Sequence, residues 1–132
     1  MPVPDDAPRN LPELGVEALE ALIRDGDLLL CSGNSGNWGS ERYWHGWSYP
    51  GAEAAHALIE RGVVGVGFDG PSADPVESET YELHRIWLGA GCFVIENLAN
   101  LEALPRRCKV VVAPLKVARA NGAPARVLGL LE

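Results

Sequence analysis

The segment Ala52-Glu53-Ala54-Ala55-His56-Ala57-Leu58-Ile59-Glu60-Arg61-Gly62-Val63-Val64-Gly65-Val66-Gly67-Phe68-Asp69-Gly70-Pro71 reads as a helix that stops at a glycine and runs straight into a buried strand. Ala55, Leu58 and Ile59 recur at helical spacing on one face, and Gly62 is the residue type that ends a helix most cheaply. The next six residues are apolar or glycine with no polar interruption, the composition of a strand covered on both faces. The same grammar occurs earlier: Val16 to Arg24 places Leu19, Leu22 and Ile23 on one helical face, Gly26 is a stop, and Asp27 to Ser32 reads as a buried strand. Downstream, the pattern predicts a helix near Tyr81 to Leu88, a short strand from Cys92 to Ile95 and a helical turn around Leu98 to Leu104. Two further strands are predicted near Lys109 to Val117 and Arg126 to Leu131. Helices alternating with strands give an α/β class, here a mixed β-sheet with flanking helices.

One domain is expected over residues 1–132, because a chain of this length supports a single modest core. Residues 1–13 carry Pro2, Pro4, Pro8 and Pro12 and read as an extended lead-in. Residues 33–51 form a long loop rich in Gly, Ser and Asn that holds Trp38, Tyr43, Trp44 and Trp47. Loops of that length in small domains are kept for binding or for covering a site. The net charge of -7 argues against nucleic acid and anionic membranes as partners, since phosphate binding needs clustered Lys and Arg. The longest apolar runs are far too short to span a bilayer. The first residues lack a basic and then apolar leader, so a cytoplasmic location is expected. Cysteines at 31, 92 and 108 fit neither a disulfide framework nor a zinc knuckle and are expected to pack as small hydrophobes.

Five segments occur in order: Gly67-Phe68-Asp69-Gly70-Pro71-Ser72-Ala73-Asp74-Pro75, Leu83-His84-Arg85-Ile86-Trp87-Leu88-Gly89-Ala90-Gly91, Val94-Ile95-Glu96-Asn97-Leu98-Ala99-Asn100-Leu101, Ala113-Pro114-Leu115-Lys116, and a Gly-x-Pro-x-Arg close from Gly122 to Arg126. Together they resemble the metal-dependent cyclase family of amide hydrolases, which includes bacterial kynurenine formamidases and isatin hydrolases. The likeness runs from about residue 15 to the end and implies the C-terminal part of the swivelling β/β/α cyclase fold. It also implies that His84 and Glu96 ligate a divalent zinc or manganese ion and that His84 is catalytic, with a small arylformamide or cyclic amide as substrate. The family's N-terminal His-x-Gly-Thr-His-x-Asp motif is absent. His45 and His56 are the only other histidines, and neither stands in that spacing. With two ligands where zinc usually has three or four from protein, the chain is expected to bind metal weakly, or not at all, and to be inactive alone.

Each candidate also has a structural reading. His84 lies on a predicted helix and is either a surface or capping residue or a ligand. Glu96 ends an apolar strand, where a carboxylate is either part of a site or paired with a base or a backbone amide. Asp69 and Asp74 are turn-formers that bond their own backbone, or acids of a site. Trp38, Tyr43, Trp44 and Trp47, with Asp69 and Ser72, are candidate substrate contacts; the aromatics can equally plug the core. His56 is expected to be a plain helix-face residue. Three roles follow: a hydrolase in split or truncated form, its missing ligands supplied by a separate N-terminal half chain or by a longer parent chain from which this piece was cut; a small-molecule binding module; or a structural remnant. A homo-oligomer, most simply a dimer, is expected, because relatives associate and exposed strand edges need cover.

Overall fold

The computed structural model describes residues 26–131, and the predicted lead-in and first helix lie outside them. By their contacts the residues fall into two compact units, one through Leu101 and one from Glu102.

The first unit holds a three-stranded parallel sheet, order β1-β2-β3, with β1 at Gly26–Leu30, β2 at Val63–Phe68 and β3 at Phe93–Ile95. Helix α1, Ala52–Glu60, lies between the first two strands in sequence, and α2, Glu82–Gly89, between the last two. The sequence therefore builds two successive β-α-β crossovers. Alanine-rich α1 buries Ala54, Ala55 and Leu58 and ends where Gly62, at φ 89°, donates its N–H to Ile59 O at 2.9 Å. Central β2 is buried at five of its six residues. Its register sets Leu30 beside Phe68 and Gly67 beside Ile95, so all three strands end at one rim. Leu58, Val66, Phe68, Leu83 and Trp87 form the centre of the core, with Trp47 from the aromatic loop packed among them. Burying a side chain of this size contributes about 1.5–3 kcal/mol.

The predicted turn at 98–104 shortens to a 3-10 turn at Leu101–Ala103, because Asn97 and Asn100 adopt left-handed φ of 58° and 61°. Cys92 alone among the cysteines is buried; Cys31 is exposed, one residue beyond β1 as the chain leaves the sheet.

The second unit is an antiparallel ribbon of β4, Lys109–Pro114, and β5, Ala125–Leu130, in register from Lys109 beside Leu130 to Pro114 beside Ala125. The first strand stops three residues earlier than its composition suggests. Leu115 N–H closes the loop onto Pro124 O at 2.8 Å, and the chain then leaves the ladder. Val110, Val112 and Val127 share the half-buried face, while Val111, Leu128 and Leu130 lie on the exposed one. No helix among the described residues is long and apolar enough to cross a membrane.

Candidate functional site

The carboxyl ends of parallel strands are where open α/β sheets present ligand-binding groups. Here Ser32 follows β1, Asp69 follows β2 and Glu96 follows β3.

Asp69 is a latch between the first two strand ends. Its carboxylate, 1% exposed, accepts from Ser32 N–H at 2.9 Å, from Asn34 N–H at 2.9 Å and from the Ser32 hydroxyl. Its partners lie 35 to 37 residues away, so it does not bond its own turn. Buried Asn34 extends the latch by donating its side-chain amide to Tyr43 O at 2.9 Å. The Tyr43 hydroxyl then donates to Asn97 Oδ1 at 2.6 Å, beside Glu96. Burial, and after it the charges of Asp69 and Glu96, raise the Tyr43 phenol above its ordinary pKa.

Asp74 makes the second network. One carboxylate oxygen accepts from Leu83 N–H at 2.9 Å and the other from His84 N–H at 3.0 Å, which are two of the donors left bare at the start of α2. The second oxygen also meets His84 Nδ1 at 2.6 Å. Burial pushes the Asp74 carboxyl up, but the hydrogen bonds from the His84 ring and the two amides outweigh it, and the net pKa is lowered.

His84 and Glu96 come together: Nε2 stands 3.3 Å from Glu96 Oε1, with both side chains about one-third exposed. An ionised Asp74 can only accept, so Nδ1 carries the hydrogen and a neutral ring turns its Nε2 lone pair toward Glu96. Two acceptors facing each other require a cation between them or a proton on the ring. Two donors on a tetrahedral ion with bonds of roughly 2.0–2.1 Å stand about 3.3 Å apart, so the pair fits a metal's edge. Among the described residues no group of three or more His, Cys, Asp or Glu converges to hold one.

The aromatic loop divides. Tyr43 and Trp47 are 4% exposed, whereas Trp38 and Trp44 are 70% and 50% exposed and meet the Tyr43 ring edge-on. Trp47 lies across Gly70, where a β-carbon would have no room, and donates its indole N–H to Ser72 O at 2.8 Å. Ser72 Oγ in turn accepts Asp74 N–H at 3.1 Å. His45 makes only a loose 3.6 Å pair with Glu77 on the surface, and His56 is on the exposed face of α1, in an open groove with Ile59, Arg85 and Ile86. Sequence reasoning missed Ser32, Asn34 and Asn97, because their roles depend on partners distant in the chain. For Ser32 and Asn34 the one local hint was the Ser-Gly-Asn composition after the first strand.

The sequence model of the family described as "Putative cyclase" matches residues 6–75. The chain is 34% identical over 76 residues to a kynurenine formamidase of Salinibacter ruber, covering 58% of this chain and 36% of that relative. It is similar in structure to isatin hydrolase A from Ralstonia solanacearum, with a TM-score of 0.79 and 29% identity over 91% of this chain and 53% of that one. That overlap is long enough to take in residues 84 and 96. A structure described as a potential metal-dependent hydrolase with cyclase activity superposes with a TM-score of 0.71 and 27% identity, covering 89% of this chain and 57% of the other. The chain thus spans between about a third and somewhat over half of the length of these relatives.

Proposed function

Because the chain belongs to the cyclase family, we propose that it contributes two ligands, His84 and Glu96, to the divalent metal site of an amide hydrolase. The observation that carries this reading is the His84 Nε2 to Glu96 Oε1 separation of 3.3 Å, with the opposite ring nitrogen already committed to Asp74. An imidazole nitrogen and a carboxylate are standard zinc and manganese donors. When bound, such an ion supplies Lewis acidity toward an amide carbonyl and toward water. The substrate class is a small arylformamide or cyclic amide, by similarity to kynurenine formamidase and isatin hydrolase.

The chain's own residues have separable tasks. His84 offers a lone pair, Glu96 brings negative charge from the rigid end of β3, and the Tyr43 to Asn97 bond holds the backbone beside Glu96. Trp38 and Trp44 present flat apolar surface suited to the aryl ring of such an amide. Tyr43 supports that surface directly, meeting both indoles edge-on, and Asp69 reaches Tyr43 through Asn34, whereas Trp47 and Ser72 are bonded to each other and brace Asp74. Two donors among the described residues fall short of the three that catalytic zinc sites take from protein, so the remainder come from elsewhere, either a separate N-terminal half or a longer parent chain of which these residues are a part. Binding of a small molecule without turnover is the second reading, and the two-donor limit among the described residues favours it.

Equilibrium dialysis with elemental analysis, followed by a formamide hydrolysis assay, tests the proposal. Weak zinc or manganese binding that is lost in His84→Ala and in Glu96→Gln supports the pair, and hydrolysis is expected only when a polypeptide carrying the missing motif is added. Metal binding unchanged in both variants refutes it. Ligand binding without metal-dependent turnover, even with that polypeptide, selects the second reading.

A further inference from the structure

We propose that Asp74 is the positioning residue of the metal pair, fixing the His84 ring so that Nε2, and not Nδ1, faces Glu96. The proposal rests on the two-ligand reading of His84 and Glu96. Asp74 is 2% exposed, and each hydrogen bond of its carboxylate is directed at the first residues of α2. Tyr81, the residue at the N-cap position, is left-handed at φ 51° and supplies no side-chain cap. A carboxylate from the preceding loop therefore does the work a local Ser or Asp does elsewhere.

Capping alone accounts for the bonds from the Leu83 and His84 amides. It does not account for the third bond, the 2.6 Å contact to His84 Nδ1, which is the shortest of the set. A metal-binding histidine commonly spends its second ring nitrogen on a carboxylate, which fixes the tautomer and raises the basicity of the ligating nitrogen. The ring is held from one side by Asp74 and opens on the other toward Glu96 at 3.3 Å. Asp74 is in turn held by Ser72, whose carbonyl receives the Trp47 indole. The orientation of the His84 ring is thereby tied to the core.

Long-range proton–nitrogen spectra of the imidazole rings provide the test, run on the whole chain at a pH where histidine is neutral, with His84 assigned by comparison with His84→Ala. The wild-type His84 ring is expected to carry its hydrogen on Nδ1. In Asp74→Ala it is expected to shift to the Nε2–H form or to a mixture. Zinc affinity, read by competition with a chromophoric chelator, should fall roughly ten- to a hundredfold in Asp74→Ala and Asp74→Asn. An Nε2–H ring in the wild type overturns the proposal without any variant, should Asp74→Ala fail to fold. A folded Asp74→Ala with an unchanged tautomer and zinc affinity within about twofold also overturns it. Zinc affinity that does not respond to His84→Ala refutes the metal pair itself, a result distinct from a failure at Asp74 alone.

Discussion

Replacing Asp69 distinguishes a structural latch from an acid of the site. In Asp69→Ala the Ser32 and Asn34 amides lose a charged acceptor, the Asn34 amide in a buried position, and the Ser32 hydroxyl loses its partner. A hydrogen bond to a charged group contributes about 1.5–3 kcal/mol, but Ser32 is half-buried and water can recover part of its loss, so the expected cost is about 3–5 kcal/mol. Asp69→Asn retains one acceptor oxygen that can serve both amides, while its NH2 group faces a hydroxyl able to reverse its role. That variant should lose about 1–2 kcal/mol. Urea denaturation followed by tryptophan fluorescence measures both, with the slope checked for constancy so that a midpoint shift reports stability. Zinc affinity of the folded Asp69→Asn protein should stay within about threefold of wild type, since Asp69 makes no hydrogen bond to either ligand. A cost below about 1 kcal/mol for Asp69→Ala, or equal costs for Ala and Asn, would refute the latch.

Three further outcomes are expected. The Tyr43 phenol titrates above its ordinary value of 10.0, so its protonated form contributes stability below that pH, and this stability is lost as the pH rises through the higher folded value; Tyr43→Phe should flatten the alkaline loss in a denaturation series. Gly70→Ala drives a methyl into the Trp47 indole and should cost about 1–3 kcal/mol in thermal or urea unfolding, whereas Gly89→Ala, in open space, should cost nothing measurable. We further propose a dimer that uses Trp38 and Trp44, the two loop aromatics left exposed, so replacing both by Ser should yield a monomer by light scattering, and an unchanged dimer would exclude them.

The elements that apolar spacing governs were readable in advance. Residues 52–68 show helix, stop and strand because apolar residues on α1 recur at helical spacing and β2 is an unbroken apolar and glycine run, and the short strand before Glu96 follows from three consecutive apolar residues. His84 and Glu96 drew attention only through a family resemblance; nothing in a twelve-residue gap states that a helix and a strand end return the two side chains to 3.3 Å. Asp69 and Asp74 looked like local turn-formers, as their type and neighbours suggest, yet their partners are distant or belong to another element. In the aromatic loop no period separates inside from outside. Trp47 is buried because Gly70 leaves it a seat, and Trp38 is exposed for want of one, a distinction that needs the tertiary contact.

The remote cap on α2 has a consequence for how the chain folds. An eight-residue helix is too short to persist alone, and this one lacks a starting signal of its own, so it should remain unformed until the loop carrying Asp74 has settled on the end of β2. Helix and loop would then open as one cooperative unit in native-state hydrogen exchange, with the Leu83 and His84 amides showing the same protection as the slowest amides of the 69–74 segment. Amides of α1, which ends on its own glycine, need not share that opening.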